Sequence, residues 1–93
     1  MEIRIDPHTL ERAKERGADA QEIREVILSG IDIPAKYGRK GKAKVYNFRD
    51  RRRGKFYEQK RIEVFYLVED EVIVTVTVYV FFGQWESNDA NLL

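Results

Sequence analysis

The sequence predicts an α+β fold in which two short N-terminal helices pack on one face of a twisted antiparallel β-sheet. Three observations predict it. The first third holds two helical segments with clear start and stop signals. The last third holds two long runs of β-branched and aromatic residues, separated at hairpin distance by Glu69-Asp70-Glu71. The chain has 93 residues, 43% of them hydrophobic, enough for one core and too few for two. The expected domain covers 1–86, followed by a flexible polar tail over 87–93.

The elements follow in order. Residues 1–5 alternate apolar and polar and suit a short edge strand. Asp6-Pro7 then reads as an N-cap with proline at the first helical position, where its missing N–H costs nothing. A helix over 7–16 ends at Gly17, a residue suited to the left-handed stop. Asp19 and Glu22 have capping-box spacing and start a second helix over 20–29, with Ile23, Val26 and Ile27 on its buried side. Glycine, proline and basic residues make 31–41 a loop, and 43–48 a strand. Residues 50–54 read as a turn or protruding loop. Strands over 62–68 and 72–82 are antiparallel neighbours at the centre of the sheet. With Asp70 and Glu71 as the turn, Tyr66 faces Thr75, Val64 faces Thr77 and Ile62 faces Tyr79. The valine-rich face with Phe65 and Leu67 is then the core. Tyr66, Thr75, Thr77 and Tyr79 share the other face, offering hydroxyls to a ligand.

Composition narrows the chemistry. With no cysteine and one histidine, disulfides, thiol nucleophiles and zinc cages are excluded, and no carboxylate cluster has calcium-loop spacing. No metal and no cofactor is expected. The start lacks a signal-peptide core and no apolar run is long enough to span a bilayer as a helix, so the expectation is a cytoplasmic protein without a membrane partner. The net charge of +1 hides a block. Residues 36–61 carry twelve basic and two acidic side chains, while 62–93 carry six acidic and no basic ones. Phosphate is the commonest partner of such a block; the alternative is a solvated loop whose charges answer the acidic flanks. Tyr37, Tyr46, Phe48, Phe56 and Tyr57 lie among these cations, a mixture that suits RNA, although Phe48 and Phe56 are expected in the core.

His8, Arg12 and Arg16 recur at four-residue intervals and share one stripe of the first helix. Two guanidiniums can hold an anion while an imidazole moves a proton. The alternative is a histidine packed at a helix end, with the arginines paired to Glu11 and Glu15.

The string His8-Thr9-Leu10-Glu11-Arg12-Ala13-Lys14-Glu15-Arg16-Gly17, followed by the capped second helix, resembles the opening of the domain of unknown function 4258 (DUF4258). That pattern has a histidine, an arginine four residues on, then Arg-Gly and a short helix ending near a glycine. Lys44-Val45-Tyr46, the hairpin from Ile62 and Thr77-Val78-Tyr79 resemble its later parts. A longer basic insertion over 49–60 and the ending Phe81-Phe82-Gly83-Gln84-Trp85 depart from it.

The resemblance implies a fold similar to RelE-like toxins and the barnase-like and colicin-like ribonucleases. Members of that group cleave RNA without metal, by attack of the ribose 2′-hydroxyl on the adjacent phosphate. It implies His8 as general acid or base and Arg12 and Arg16 on the phosphate, with Tyr79 beside them. On that reading Lys44 and Tyr46 would line the same cleft; from the strand pattern Tyr66, Thr75 and Thr77 would offer substrate contacts, and from the basic block Arg51, Arg52 and Arg53 would steer RNA. The implied partners are RNA and an antitoxin-like protein. The alternatives are a non-catalytic nucleic-acid-binding module, or a protein-interaction domain anchored by Phe81, Phe82 and Trp85.

Overall fold

A computed structural model describes residues 1–85. The expected tail over 87–93 lies outside the described residues. Helix α1 spans Pro7–Arg16, and the Asp6 carboxylate accepts the backbone N–H groups of His8 and Thr9. Gly17 ends it at φ 101, in the left-handed region. Helix α2 spans Ala20–Ser29 behind a complete capping box of Asp19 and Glu22. Both helices keep the bounds read from the sequence.

The strands are β1 (Glu2–Arg4), β2 (Ile31–Ile33), β3 (Lys40–Arg52), β4 (Lys55–Glu69) and β5 (Val72–Gly83). They form one sheet in the order β1-β5-β4-β3-β2. The chain starts at one edge, crosses the sheet through both helices to the other edge, and returns by two hairpins. The sheet is mixed rather than wholly antiparallel, because β1 pairs parallel to β5 from Glu2↔Val72 to Arg4↔Val74. A helical crossover delivers the chain to the far edge, so β1 is free to take that direction. The hairpin turns Arg53-Gly54 and Asp70-Glu71 each carry two positive φ angles, as type I′ turns require.

The helices cover one face. Ala13, Ile23, Val26, Ile62, Val64 and Val78 are fully buried between them and the sheet, with Tyr66 and Ile73 beside them. This corrects the expected core, and a β-bulge is the cause. Tyr66 pairs with Thr75 as expected, but Phe65 then pairs with Thr77, so Val76 is an extra residue in β5. Beyond it Val64 meets Val78 and Ile62 meets Val80. The bulge thus adds Val78 and Val80 to the face of Ile62, Val64 and Tyr66, and it is this face rather than that of Phe65 and Leu67 that the helices cover; Tyr66 and Thr75 there are only 5% and 3% exposed. Thr77 and Tyr79 emerge on the opposite, open face with Phe65.

Two further regions differ from expectation. The basic insertion is no loop: β3 and β4 run on as a long hairpin past a register shift between Asn47 and Asp50, where Arg49 takes φ 50. Ile31–Ile33, expected as loop, is an edge strand on Gly41–Ala43 of β3. Phe56 is half exposed near the hairpin tip rather than in the core. Phe48 packs edge-on to Phe82, 5.0 Å between ring centroids.

Candidate functional site

Beyond Val74 the outer edge of β5 has no strand partner among the described residues, and the N-cap and side chains of α1 lie against it instead. The Asp6 N–H donates to the Thr75 hydroxyl at 3.0 Å, and the Thr9 hydroxyl donates to the Val76 carbonyl at 3.3 Å. The Arg16 guanidinium donates to the Val78 carbonyl at 2.7 Å and lies over the Tyr79 ring, 5.4 Å from its centroid. These contacts blunt an edge that would otherwise template strand pairing. They also set α1 off from the strand by the length of its side chains.

An open cleft of about 240 Å³ results, lined by His8, Thr9, Arg12, Val76, Thr77 and Val78. His8 and Arg12 sit one turn apart on its helical wall, both exposed. Among the described residues no carboxylate lines it. Arg12 forms no ion pair among the described residues, and neither it nor Arg16 pairs with Glu11 or Glu15. A solvated guanidinium beside an imidazole can take a phosphate and exchange a proton with it. Among the described residues no side chain hydrogen-bonds the His8 imidazole; only its backbone N–H is engaged, by Asp6.

The structure thus gathers His8, Arg12, Arg16, Thr77 and Tyr79 along one edge. The remaining expected site residues lie elsewhere. Lys44 and Tyr46 are on the helix-covered face, where the Lys44 ammonium donates to the Ser29 hydroxyl at 2.9 Å and the Tyr46 hydroxyl to the Glu25 carboxylate at 2.9 Å. Burial, the Glu25 hydrogen bond and nearby carboxylates raise the Tyr46 phenol far above the ordinary tyrosine value, so it stays neutral. Tyr66 and Thr75 are core residues, and the Thr75 hydroxyl accepts from Asp6.

The basic block divides in the same way. The Lys60 ammonium is buried, donating to the Gly17 carbonyl and pairing with Glu22, each at 2.8 Å, which ties β4 to the corner between the helices. Arg52 donates to the Glu15 carbonyl at 2.8 Å and covers the Phe82 ring. Lys42 pairs with Asp32, and Arg61 with Glu63 on the open face. The hydrogen bond and charge of Lys42 hold the Asp32 carboxyl below its usual value. Arg51 braces its own turn through the Gly54 carbonyl, and Arg53 is exposed in that turn. Of the three arginines assigned to steering RNA, Arg52 is a structural brace.

One hollow escaped the sequence reading. Lys36, Tyr37, Arg39, Phe65, Thr77 and Tyr79 enclose about 170 Å³ on the open face. The register that places Phe65 beside Thr77 depends on the bulge, which the sequence does not mark.

Among the described residues no three His, Cys, Asp or Glu side chains converge as a metal site, and no helix is long and apolar enough to cross a membrane. Compared with models of protein families, curated proteins and solved structures, the chain matches none.

Proposed function

We propose that this protein acts on RNA as a metal-independent endoribonuclease of the RelE-like toxin type, with the α1–β5 cleft as its centre. The observation that carries the reading is the convergence of His8 and Arg12 on one cleft that no carboxylate lines among the described residues, with Arg16 anchored next to it on the Val78 carbonyl. Arg12 holds the scissile phosphate and offsets charge that builds on its oxygens. The His8 imidazole takes the proton of the ribose 2′-hydroxyl as that oxygen bonds to phosphorus. The bond from phosphorus to the 5′-oxygen breaks, the leaving oxygen takes a proton from water in the open cleft, and the hydroxide so formed takes the proton held by His8, which restores the imidazole. The products are a 2′,3′-cyclic phosphate and a 5′-hydroxyl.

The second reading is a non-catalytic RNA-binding module on the same scaffold. It is favoured by one observation: a general base is ordinarily oriented by a third group, and His8 has none among the described residues.

Mixed-sequence RNA incubated in EDTA with wild type and His8→Ala separates the two. Cleavage leaving cyclic phosphate ends, lost in His8→Ala, is the expected result. Undiminished cleavage by His8→Ala removes that residue from the mechanism. Binding that weakens steeply with salt, without cleavage by either protein, assigns the chain to the binding module.

A further inference from the structure

We infer that the open face of the sheet is a base-binding platform for single-stranded RNA, with one nucleobase seated in the hollow beside Tyr37, Phe65 and Tyr79. The inference rests on the RNA reading and adds the form of the substrate and the place of its base.

Thr77 lines both the hollow and the cleft that holds His8 and Arg12. The two cavities are therefore neighbours across one strand, the phosphate site at its edge and the hollow on its face. A nucleotide presents charge and ring in that arrangement. A base in a duplex is stacked and paired, so only an unpaired one can enter.

The lining suits a base more than a protein side chain. Phe65 meets Tyr79 edge-on with centroids 6.0 Å apart, and Tyr79 stacks with Phe81 at 6.4 Å, so a row of rings runs along the face. Tyr79 and Phe81 are each nearly half exposed. Around the rings stand Lys36, Arg39 and Arg16, none in an ion pair among the described residues. Stacking surfaces ringed by unpaired cations match a strand that is aromatic in its bases and anionic in its backbone. The Arg61–Glu63 pair farther along the face neutralises itself.

Tyr37 supplies an independent observation. It occupies the first central position of a tight turn, at φ 60, followed by Gly38 at φ 73 and closed by the Arg39 N–H donating to the Lys36 carbonyl at 3.2 Å. Asparagine, aspartate or glycine takes that position with little strain, whereas a tyrosine is costly there. Its ring packs little, being 86% exposed, and Arg39 lies over it at 5.9 Å. A turn that holds an exposed ring at backbone cost over a hollow of rings and cations is suited to closing on a base.

The test measures affinity for a short fluorescent 2′-O-methyl oligoribonucleotide, which this chemistry cannot cleave, as a single strand and annealed into a duplex. Wild type should prefer the single strand. Tyr37→Ala, an exposed change that leaves the fold intact, should weaken single-strand binding about tenfold and collapse the preference, and Tyr37→Phe should restore it. Equal single-strand affinity in wild type and Tyr37→Ala overturns the platform and leaves the RNA reading standing. No binding of either form by wild type overturns both. A dimer that Phe81→Glu dissociates, with single-strand affinity unmoved by Tyr37→Ala, assigns the face to a second copy and also overturns it.

Discussion

The two faces of the sheet use similar residues for opposite ends. On the covered face, aromatic rings and cations are consumed by the fold: Lys60 is held by Gly17 and Glu22, Lys44 by Ser29, and Tyr46 by Glu25. On the open face and its β5 edge, Tyr37, Tyr79, Phe81, Arg12 and Arg39 keep solvent contact, and neither arginine is ion-paired among the described residues. A basic, aromatic composition therefore says little about binding until each cation is placed. In this chain roughly half the basic block is structural, which is why the site we propose is put on α1 and β5 instead of on the block's centre.

The largest effect that separates the faces is packing. Ile62→Ala, at a fully buried position, should lower unfolding free energy by about 2–5 kcal/mol in urea titrations, and Phe81→Ala on the open face by less than about 1 kcal/mol. Similar losses would mean that something covers the open face in the isolated protein. Next comes the buried cation. Lys60→Ala takes the cation from the Glu22 carboxylate, which keeps only the Asp19 N–H among the described residues, and the donor from the Gly17 carbonyl. It should cost about 3 kcal/mol, whereas Arg53→Ala should stay within about 0.5 kcal/mol. A neutral Lys60→Ala in the same titration would undo the division of the basic block.

The smallest effect is set by pH. The folded protein raises the Tyr46 phenol above its ordinary value of 10.0, so the contribution of this group is fully present below that pH. It is lost as pH rises through the folded value, because the unfolded chain ionises first. Tyr46→Phe should cost about 1 kcal/mol near neutrality, a modest figure because the pair keeps some solvent contact. The gap between variant and wild type should narrow above pH 10.0. A gap that stays constant there would place Tyr46 in ordinary solvent.

The helices were legible because their signals are local. Asp6-Pro7, Gly17 and the Asp19–Glu22 box each act within one turn of chain. The β4–β5 hairpin was legible as well, down to the Asp70-Glu71 turn. What was not legible depends on a single residue. Thr75-Val76-Thr77-Val78-Tyr79 alternates so regularly that an extra residue at Val76 leaves no trace, yet it sends Thr77 and Tyr79 to the face opposite Thr75. The extension of β3 and β4 was hidden for another reason: arginines and lysines have low strand preference, and the long hairpin is tied down by Arg52 and Lys60 reaching to α1 and its C-terminal corner. Helical spacing alone put His8, Arg12 and Arg16 on one stripe of α1, and their proposed role came only with the family resemblance, whereas Lys44 and Tyr46 were misplaced because no local signal says which face of β3 the helices cover.

Whether RNA is held at the α1–β5 edge and the adjoining open face is read from backbone amide chemical shifts, recorded while a short single-stranded 2′-O-methyl oligoribonucleotide is added. Movement is expected at His8, Arg12, Tyr37 and Val76 to Tyr79, with Ile23, Val26 and Lys44 nearly still. Shifts confined to the hairpin tip at Arg51 to Lys55, or spread over α2, would contradict that placement.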